Sequence, residues 1–340
     1  MSRKNVPEFH KALMDQSAYP SASRKVKYEE TAWCYFYRTG DHLYKIRKTS
    51  PIYPTLAIKE RYIHEAQRLG RLWAPELAGE VFPIMRRPEG GYGLGGAGEV
   101  VDFALQIAQL SDTYWLDRLI PKGKLPGTAW GRLARYLAER HALSPLGEQA
   151  HEVGRLEHFR SLFDEVYYQS KKYLDLTITQ PMLEIIHLPM SRFLDDARKL
   201  FIRRCKKNRI VECHGAFVPE HIFIKSTQIH VIAPLDAGTK YRHLDAAQDV
   251  ATLVNGLLLQ KVPEAAELFV KRYMTAAKDR DMATMLPAYQ VLNAMRCGVL
   301  HGERANEHAG DESIRAAAME AARANFQLAV VAARQIPREL

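Results

Sequence analysis

The chain changes character near residue 109, and that change limits what it can fold into. Before it, short aromatic and β-branched runs alternate with turn residues. After it, apolar side chains recur almost throughout at three- and four-residue spacing. Tyr28 to Lys48 reads as two strands around Thr39-Gly40-Asp41, the first through Trp33, Tyr35 and Tyr37 and the second over Leu43 to Arg47. Residues 56–73 switch to helical spacing through Leu56, Tyr62, Ile63, Ala66, Leu69 and Leu72. Strands over 80–85 and 99–107 flank a glycine-rich stretch from Gly90 to Gly98. No Gly-Lys-Ser/Thr follows that stretch and no helix opens after it, so it reads as a hairpin turn and not a phosphate cradle.

Beyond residue 109 the spacing predicts helices over 127–142, 146–173, 190–207, 244–260, 263–278, 283–300 and 312–335. A single strand pair, around 209–211 and 222–232, interrupts them. A small β-rich unit followed by a large helical one is the expected architecture, with no internal repeat.

At 340 residues, 47% hydrophobic and 26% charged, the chain has the composition of an ordinary globular protein with one large bilobal domain or two packed units. No apolar run approaches the ~20 residues that span a bilayer, and the start of the chain lacks a secretory pattern. Cys34, Cys205, Cys213 and Cys297 form no Cys-x-x-Cys pair, so neither zinc nor a disulfide framework is expected, and a reducing cytoplasm is the expected compartment. The net charge of +9 permits anionic partners. Its densest cluster, Arg203-Arg204-Cys205-Lys206-Lys207-Asn208-Arg209, lacks the interleaved aromatics of a single-strand groove and is expected to end a helix, which makes nucleic acid an unfavoured partner. Neither a zinc-hydrolase His spacing nor a Gly-x-Ser-x-Gly elbow is present.

Phosphoryl transfer in a kinase needs a strand lysine for the ATP phosphates, a helix glutamate to orient it, a carboxylate beside the acceptor hydroxyl, and oxygen ligands for Mg²⁺. Lys45 and Glu65 meet the first two requirements in order and spacing, a pairing that by itself occurs in most proteins as a solvated surface pair.

Several stretches resemble the aminoglycoside phosphotransferase-like family, in its bacterial uncharacterised branch. They are Glu30-Thr31-Ala32-Trp33-Cys34-Tyr35-Phe36-Tyr37-Arg38 with Tyr44-Lys45-Ile46-Arg47-Lys48, the glycine turn running into Glu99-Val100-Val101-Asp102-Phe103, Leu116-Asp117-Arg118-Leu119, Glu212-Cys213-His214-Gly215, and Leu244-Asp245-Ala246-Ala247-Gln248-Asp249. The resemblance runs from about residue 28 to 300. It implies an α+β, bilobal protein-kinase-like fold: an N-terminal extension over 1–24, a β-rich N-lobe with one helix over 25–108, and a helical C-lobe over 109–340. It further implies a nucleotide site near Lys45, Glu65 and Gln106, and His214 as a structural brace.

The departures from the family pattern fall on the chemistry. Where the resemblance implies the catalytic Asp, an Asn five residues later and a second metal-binding Asp, this chain has Ala216, His221 and Ala233. Ala32 and Cys34 stand where a His and a Ser are usual. Losing acid-base help costs about 10²- to 10⁴-fold, and His221 is a poor replacement ligand because hard Mg²⁺ prefers oxygen. Glu220 and Asp236 are the carboxylates that could substitute, Asp236 also as a metal ligand. Asp245 and Asp249 are expected to anchor the following helix. The expectation is therefore a pseudokinase that binds or regulates a protein or small-molecule partner, with ATP or another nucleotide as a candidate ligand and Mg²⁺ doubtful. The alternative is an active phosphotransferase with relocated carboxylates.

Overall fold

The computed structural model describes residues 6–20, 25–31, 33–123, 125–236 and 238–339. Packing divides the chain into two units: residues 1–113 with 230–237, and residues 114–229 with 238–340.

The first unit contains α1 (His10–Leu13), the strands β1 (Lys27–Glu30), β2 (Cys34–Arg38) and β3 (His42–Arg47), α2 (Leu56–Trp73), and the strands β4 (Ala78–Arg86), β5 (Tyr92–Leu94) and β6 (Glu99–Ala108). The strands form one antiparallel sheet in the order β1-β2-β3-β6-β4-β5. The region read as one hairpin thus carries a third strand, β1, paired along the outer edge of β2. The glycine stretch expected as one hairpin turn instead carries strand β5, paired with β4, between two turns. Gly98 sits at φ +142, where a Cβ would lie 2.2 Å from the Arg86 carbonyl oxygen, so the turn into β6 admits only glycine.

Alternation along β3 and β6 gives the sheet two different faces. Tyr44, Ile46 and Ala104 point into a core completed by Tyr37, Ile84 and the N-terminal residues Phe9, Leu13, Ala18 and Tyr19. The segment expected as an extension over 1–24 thus supplies core side chains to this face, while Ala32 lies outside the described residues. On the opposite face, Phe103 and Leu105 pack against Ile63 and Ala66 of α2. Helix α2 forms over the expected span because Thr55 caps it, its hydroxyl accepting from Ile58 N, and because Pro75 lies just past its end.

The second unit holds α3 (Leu116–Leu119), α4 (Gly127–Leu143), α5 (Ala150–Val153), α6 (Leu156–Ser170), α7 (Gln180–Asp196) and α8 (Arg198–Lys206). The strands β7 (Ile210–Glu212), β8 (Ile222–Lys225), β9 (Gln228–Val231, whose last two residues are counted with the first unit) and β10 (His243–Asp245) follow, then α9 (Ala247–Leu259), α10 (Pro263–Ala277), α11 (Met282–Glu307) and α12 (Glu312–Ala333).

Four expectations need correction. The helix expected over 190–207 is two, α7 from Gln180 to Asp196 and α8 from Arg198 to Lys206, parted at Ala197. The single strand pair is two pairs: β7 with β10, and β8 with β9. The helix expected over 244–260 begins at Ala247, because 243–245 pair with β7 as strand β10 and Asp245 Oδ1 then accepts from Ala247 N, the first amide of the helix. The helix expected over 146–173 is broken at Gly154, whose Cα lies so close to Ile210 and Cys205 that a Cβ would fall 2.5 Å and 2.7 Å from their side chains.

Helices α11 and α12 pack through small residues. Gly298 faces the Phe326 ring, and Gly302 faces the ring of Tyr173, with no room for a Cβ at either place. None of the described helices is long and apolar enough to cross a membrane. The four cysteines are free thiols.

Candidate functional site

In the first unit, Lys45 of β3 points to the α2 face of the sheet, and Arg47, two residues on, shares that face. Both reach the same carboxylate. Lys45 Nζ lies 3.2 Å from Asp236 Oδ2, and the Arg47 guanidinium is in direct ion-pair contact with the same oxygen. Asp236 is only 5% exposed. Burial pushes its carboxyl up, but the adjacent Lys45 and Arg47 cations outweigh that and hold it below the ordinary carboxylate range. Arg47 is further sandwiched by the Tyr53 ring, 4.9 Å from its guanidinium carbon.

Beside this triad is a cavity of about 50 Å³, lined by Lys45 and Asp236, by Ala66, Gln67 and Gly70 of α2, by Leu105 and Ile107 of β6, and by 231–234. Gln67 Nε2 donates to the Gly79 carbonyl at 2.9 Å and fixes the helix against β4.

The other expected nucleotide-site residues are placed elsewhere. Glu65 pairs with Arg68 one turn along α2, at 2.8 Å, and the ion-pair partner of Lys45 is Asp236 instead. The reason is helical phase: the inward stripe of α2 runs through Lys59, Ile63, Ala66 and Gln67, and Glu65 lies to its side. Gln106 is opposite Tyr44 in register and donates to its hydroxyl at 3.0 Å, so pleating puts it on the sheet face away from Lys45. A buried pair not anticipated from the sequence, Lys59 with Asp102 at 2.6 Å, ties α2 to β6.

Ala233 adopts φ 56, the left-handed region, which costs an alanine about 1–2 kcal/mol and which Asn or Asp tolerates better.

The second unit holds the loop that follows β7. His214 is fully buried. The loop is anchored by Asp249 of α9, whose carboxylate accepts from His214 N at 2.6 Å and from Gly215 N at 2.8 Å. A third contact reaches Asp249 from His141 Nε2 at 3.1 Å. His141 Nδ1 meets the Tyr273 hydroxyl at 2.8 Å. Burial, with Asp279 nearby, pushes that phenol well above its usual range, so it stays protonated and donates.

His141, Cys213 and Asp249 bring potential metal-ligand atoms within 4.8 Å of one another. Burial raises the Cys213 thiol well above its ordinary value, which opposes the thiolate a metal needs. With His141 using both ring nitrogens, the cluster is a hydrogen-bond network of the core.

Ala216 offers no functional group, and its carbonyl accepts from His221 Nδ1 at 2.9 Å. His221 therefore braces the loop it sits on, a role legible only once the turn at Pro219 to His221 is folded. Glu220 is exposed on that turn; packing around its carboxylate and then Asp117 raise its pKa.

The basic cluster ends α8 as expected, but it is not a surface patch throughout. Arg204 is 0% exposed, clamped between Asp245 and Asp279, while Arg203 and Lys207 pair with Asp281 at 3.0 Å each.

An antiparallel sheet backed by one helix and followed by a mostly helical unit is the protein-kinase-like fold, and solved structures agree. The chain superposes on a choline/ethanolamine kinase family protein from Mesorhizobium loti with a TM-score of 0.51 and 13% identity, covering 95% of this chain and 98% of that one. It superposes on the choline kinase of Cryptosporidium parvum Iowa II with a TM-score of 0.53 and 10% identity, covering 95% and 91%. A thermostable mutant of the aminoglycoside phosphotransferase APH(4)-Ia gives a TM-score of 0.48 at 10% identity over 89% and 94%. The first two establish the fold. No protein-family model matches the sequence, and no curated protein gives a significant match.

Proposed function

We propose that this protein is a pseudokinase: a kinase-like scaffold that recognises a ligand or partner without efficient phosphoryl transfer. The observation that carries the reading is the use of Asp236. It is the carboxylate nearest Lys45, and it is already committed to Lys45 and Arg47 as a buried internal counter-ion. A carboxylate neutralised by two cations is a poor ligand for a divalent ion, and a lysine neutralised by that carboxylate has less charge left for a phosphate.

The residues present do not fit Mg²⁺. Ala216 and Ala233 supply no side-chain oxygen, His221 offers nitrogen and spends Nδ1 on the loop, and Glu220 belongs to a cavity wall of the helical unit. Phosphoryl transfer depends chiefly on metal and electrostatic positioning, so losing this whole set removes more than a missing base would.

Thermal-shift and calorimetric titration with ATP, ADP and AMP, each with and without Mg²⁺, tests the reading. The expected result is a nucleotide response unchanged by Mg²⁺, with no transfer of the γ-phosphate to amine or hydroxyl acceptors. Mg²⁺-dependent ATP binding abolished by Asp236→Ala, together with turnover on the order of once per second or faster, would establish the active alternative.

The same triad makes a pH prediction. A carboxylate with a depressed folded-state pKa contributes stability that is complete above its unfolded value of about 3.9 and is lost as pH falls through the folded value. The stability to denaturant of the wild type and Asp236→Asn should therefore differ most near neutrality, by about 3–5 kcal/mol for breaking a buried pair, and converge in acid. A constant difference down to about pH 3 would contradict the depressed pKa.

A further inference from the structure

The helical unit has an open cavity of about 270 Å³ between the 218–220 turn and helices α9, α11 and α12. It is smaller than the ~300–1,000 Å³ of drug-sized pockets and suits a small metabolite. Its wall carries polar groups that the fold leaves unused. Arg296 Nη1 is buried and has no hydrogen-bond partner, and no described carboxylate pairs with the guanidinium, which is held instead over the Tyr241 ring at 4.7 Å. The Oε1 of Gln260 is likewise buried and unpartnered. Glu220, at the rim, has no described cationic partner. His301 also lines the space; burial, and then Arg304, lower its pKa, so near neutrality it adds a neutral ring.

A buried guanidinium hydrogen that bonds to nothing costs the desolvation of a charged group, unless something outside the chain supplies an acceptor. The same holds, more weakly, for an amide oxygen lacking a donor. Other amides on the wall are already satisfied: Asn255 with Gln290, and Asn293 with Gln248 and Thr252. The unmet demand is therefore specific: an acceptor for Arg296 Nη1, best an anionic one, and a donor for Gln260 Oε1, which the exposed Glu220 carboxylate at the rim makes best a cationic one.

We propose that this cavity binds a small zwitterionic metabolite of the amino-acid class, its carboxylate received by Arg296 and its ammonium by Glu220 and the Gln260 amide oxygen. The site lies wholly in the helical unit and does not depend on whether the protein transfers phosphate. It gives the turn at Pro219 to His221 a ligand-sensing role in place of a catalytic one.

Calorimetry and thermal shift with the unbranched ω-amino acids from glycine to 6-aminohexanoate test this, each set beside the carboxylic acid and the amine of the same chain length. One chain length should bind at least about tenfold tighter than either single-charge comparator, since each charge adds its own contact. Arg296→Met should reduce that affinity to the level of the amine, and Glu220→Gln to the level of the acid. Thermal melting of the free variants checks their fold, and Glu220, being at an exposed rim, can be changed without touching the core. The proposal is overturned if no zwitterion binds at ~10 mM, if the acid or amine alone binds as well, or if neither substitution changes the affinity.

Discussion

Replacing Arg204 by alanine should unfold this protein or bring it close to unfolding. The side chain is completely buried, and its guanidinium is bidentate to both Asp245 and Asp279: Nε and Nη2 to the first, and Nη1 and Nη2 to the second at 2.9 Å each. Burial disfavours the cation, but the two carboxylates outweigh it and raise the Arg204 pKa above its ordinary value. Removing the cation leaves two carboxylates facing each other in the core. Breaking a buried pair from one side costs about 3–5 kcal/mol, against a total stability of about 5–15 kcal/mol for a typical domain. The damage would also spread: Asp245 ends β10 and accepts from Ala247 N, the first amide of α9, so a displaced carboxylate loosens both elements. Denaturant unfolding monitored by tryptophan fluorescence and by circular dichroism should show the loss. A combined Arg204→Met, Asp245→Asn, Asp279→Asn variant should recover much of it, because no unpaired carboxylate is then left in the core and the one cation that loses a partner, Arg209, is partly exposed. A loss below about 1 kcal/mol in the alanine variant, the size of an exposed ion pair, would mean that water reaches these carboxylates.

The second large effect is expected at Asp249. Its carboxylate satisfies the backbone N–H groups of His214 and Gly215 and the imidazole of His141, all in a fully buried setting. Hydrogen bonds to a charged acceptor contribute about 1.5–3 kcal/mol each, and a buried donor left unmet pays its full desolvation. Asp249→Ala should therefore cost about 3–5 kcal/mol even with some relaxation of the loop. Asp249→Asn should cost less, since the amide oxygen still serves one of the two backbone donors. The two variants should also differ in amide exchange: protection at His214 and Gly215 should vanish in the alanine variant and persist in part in the asparagine one. Equal exchange in the wild type and Asp249→Ala would show that the loop is held by something other than this carboxylate.

The loop from His214 to His221 is kept in shape by Asp249 below it and by His221 within it, although Ala216 at its head carries no reactive group. A well-built support for an empty position is consistent with the loop serving recognition, and the cavity wall formed by Val218, Pro219 and Glu220 is its most direct use.

Local pattern was enough to find most elements. Helix α2 begins at Leu56 and ends at Trp73, as its apolar spacing predicts, because its cap, its stripe and its following proline are all within a few residues of one another. The same holds for β4 and β6 around the glycine turn. Strand β10 was illegible because three residues of strand precede an apolar helix with no break in composition, and only pairing with β7 identifies them. Arg47 could have been found, since pleating puts residues i and i+2 on one face and Lys45 was already singled out.

What the sequence determined by itself was the order of elements and the absence of the acidic and amide residues at Ala216, His221 and Ala233. These are properties of short segments, where chemistry and conformation are set by near neighbours. Which charges meet was decided only by the tertiary structure. Asp236 neutralises Lys45 from 191 positions away, Glu65 turns to its own helix neighbour, and Arg296 meets no carboxylate among the described residues, because each outcome depends on the phase of an element and the direction of its side chains after packing.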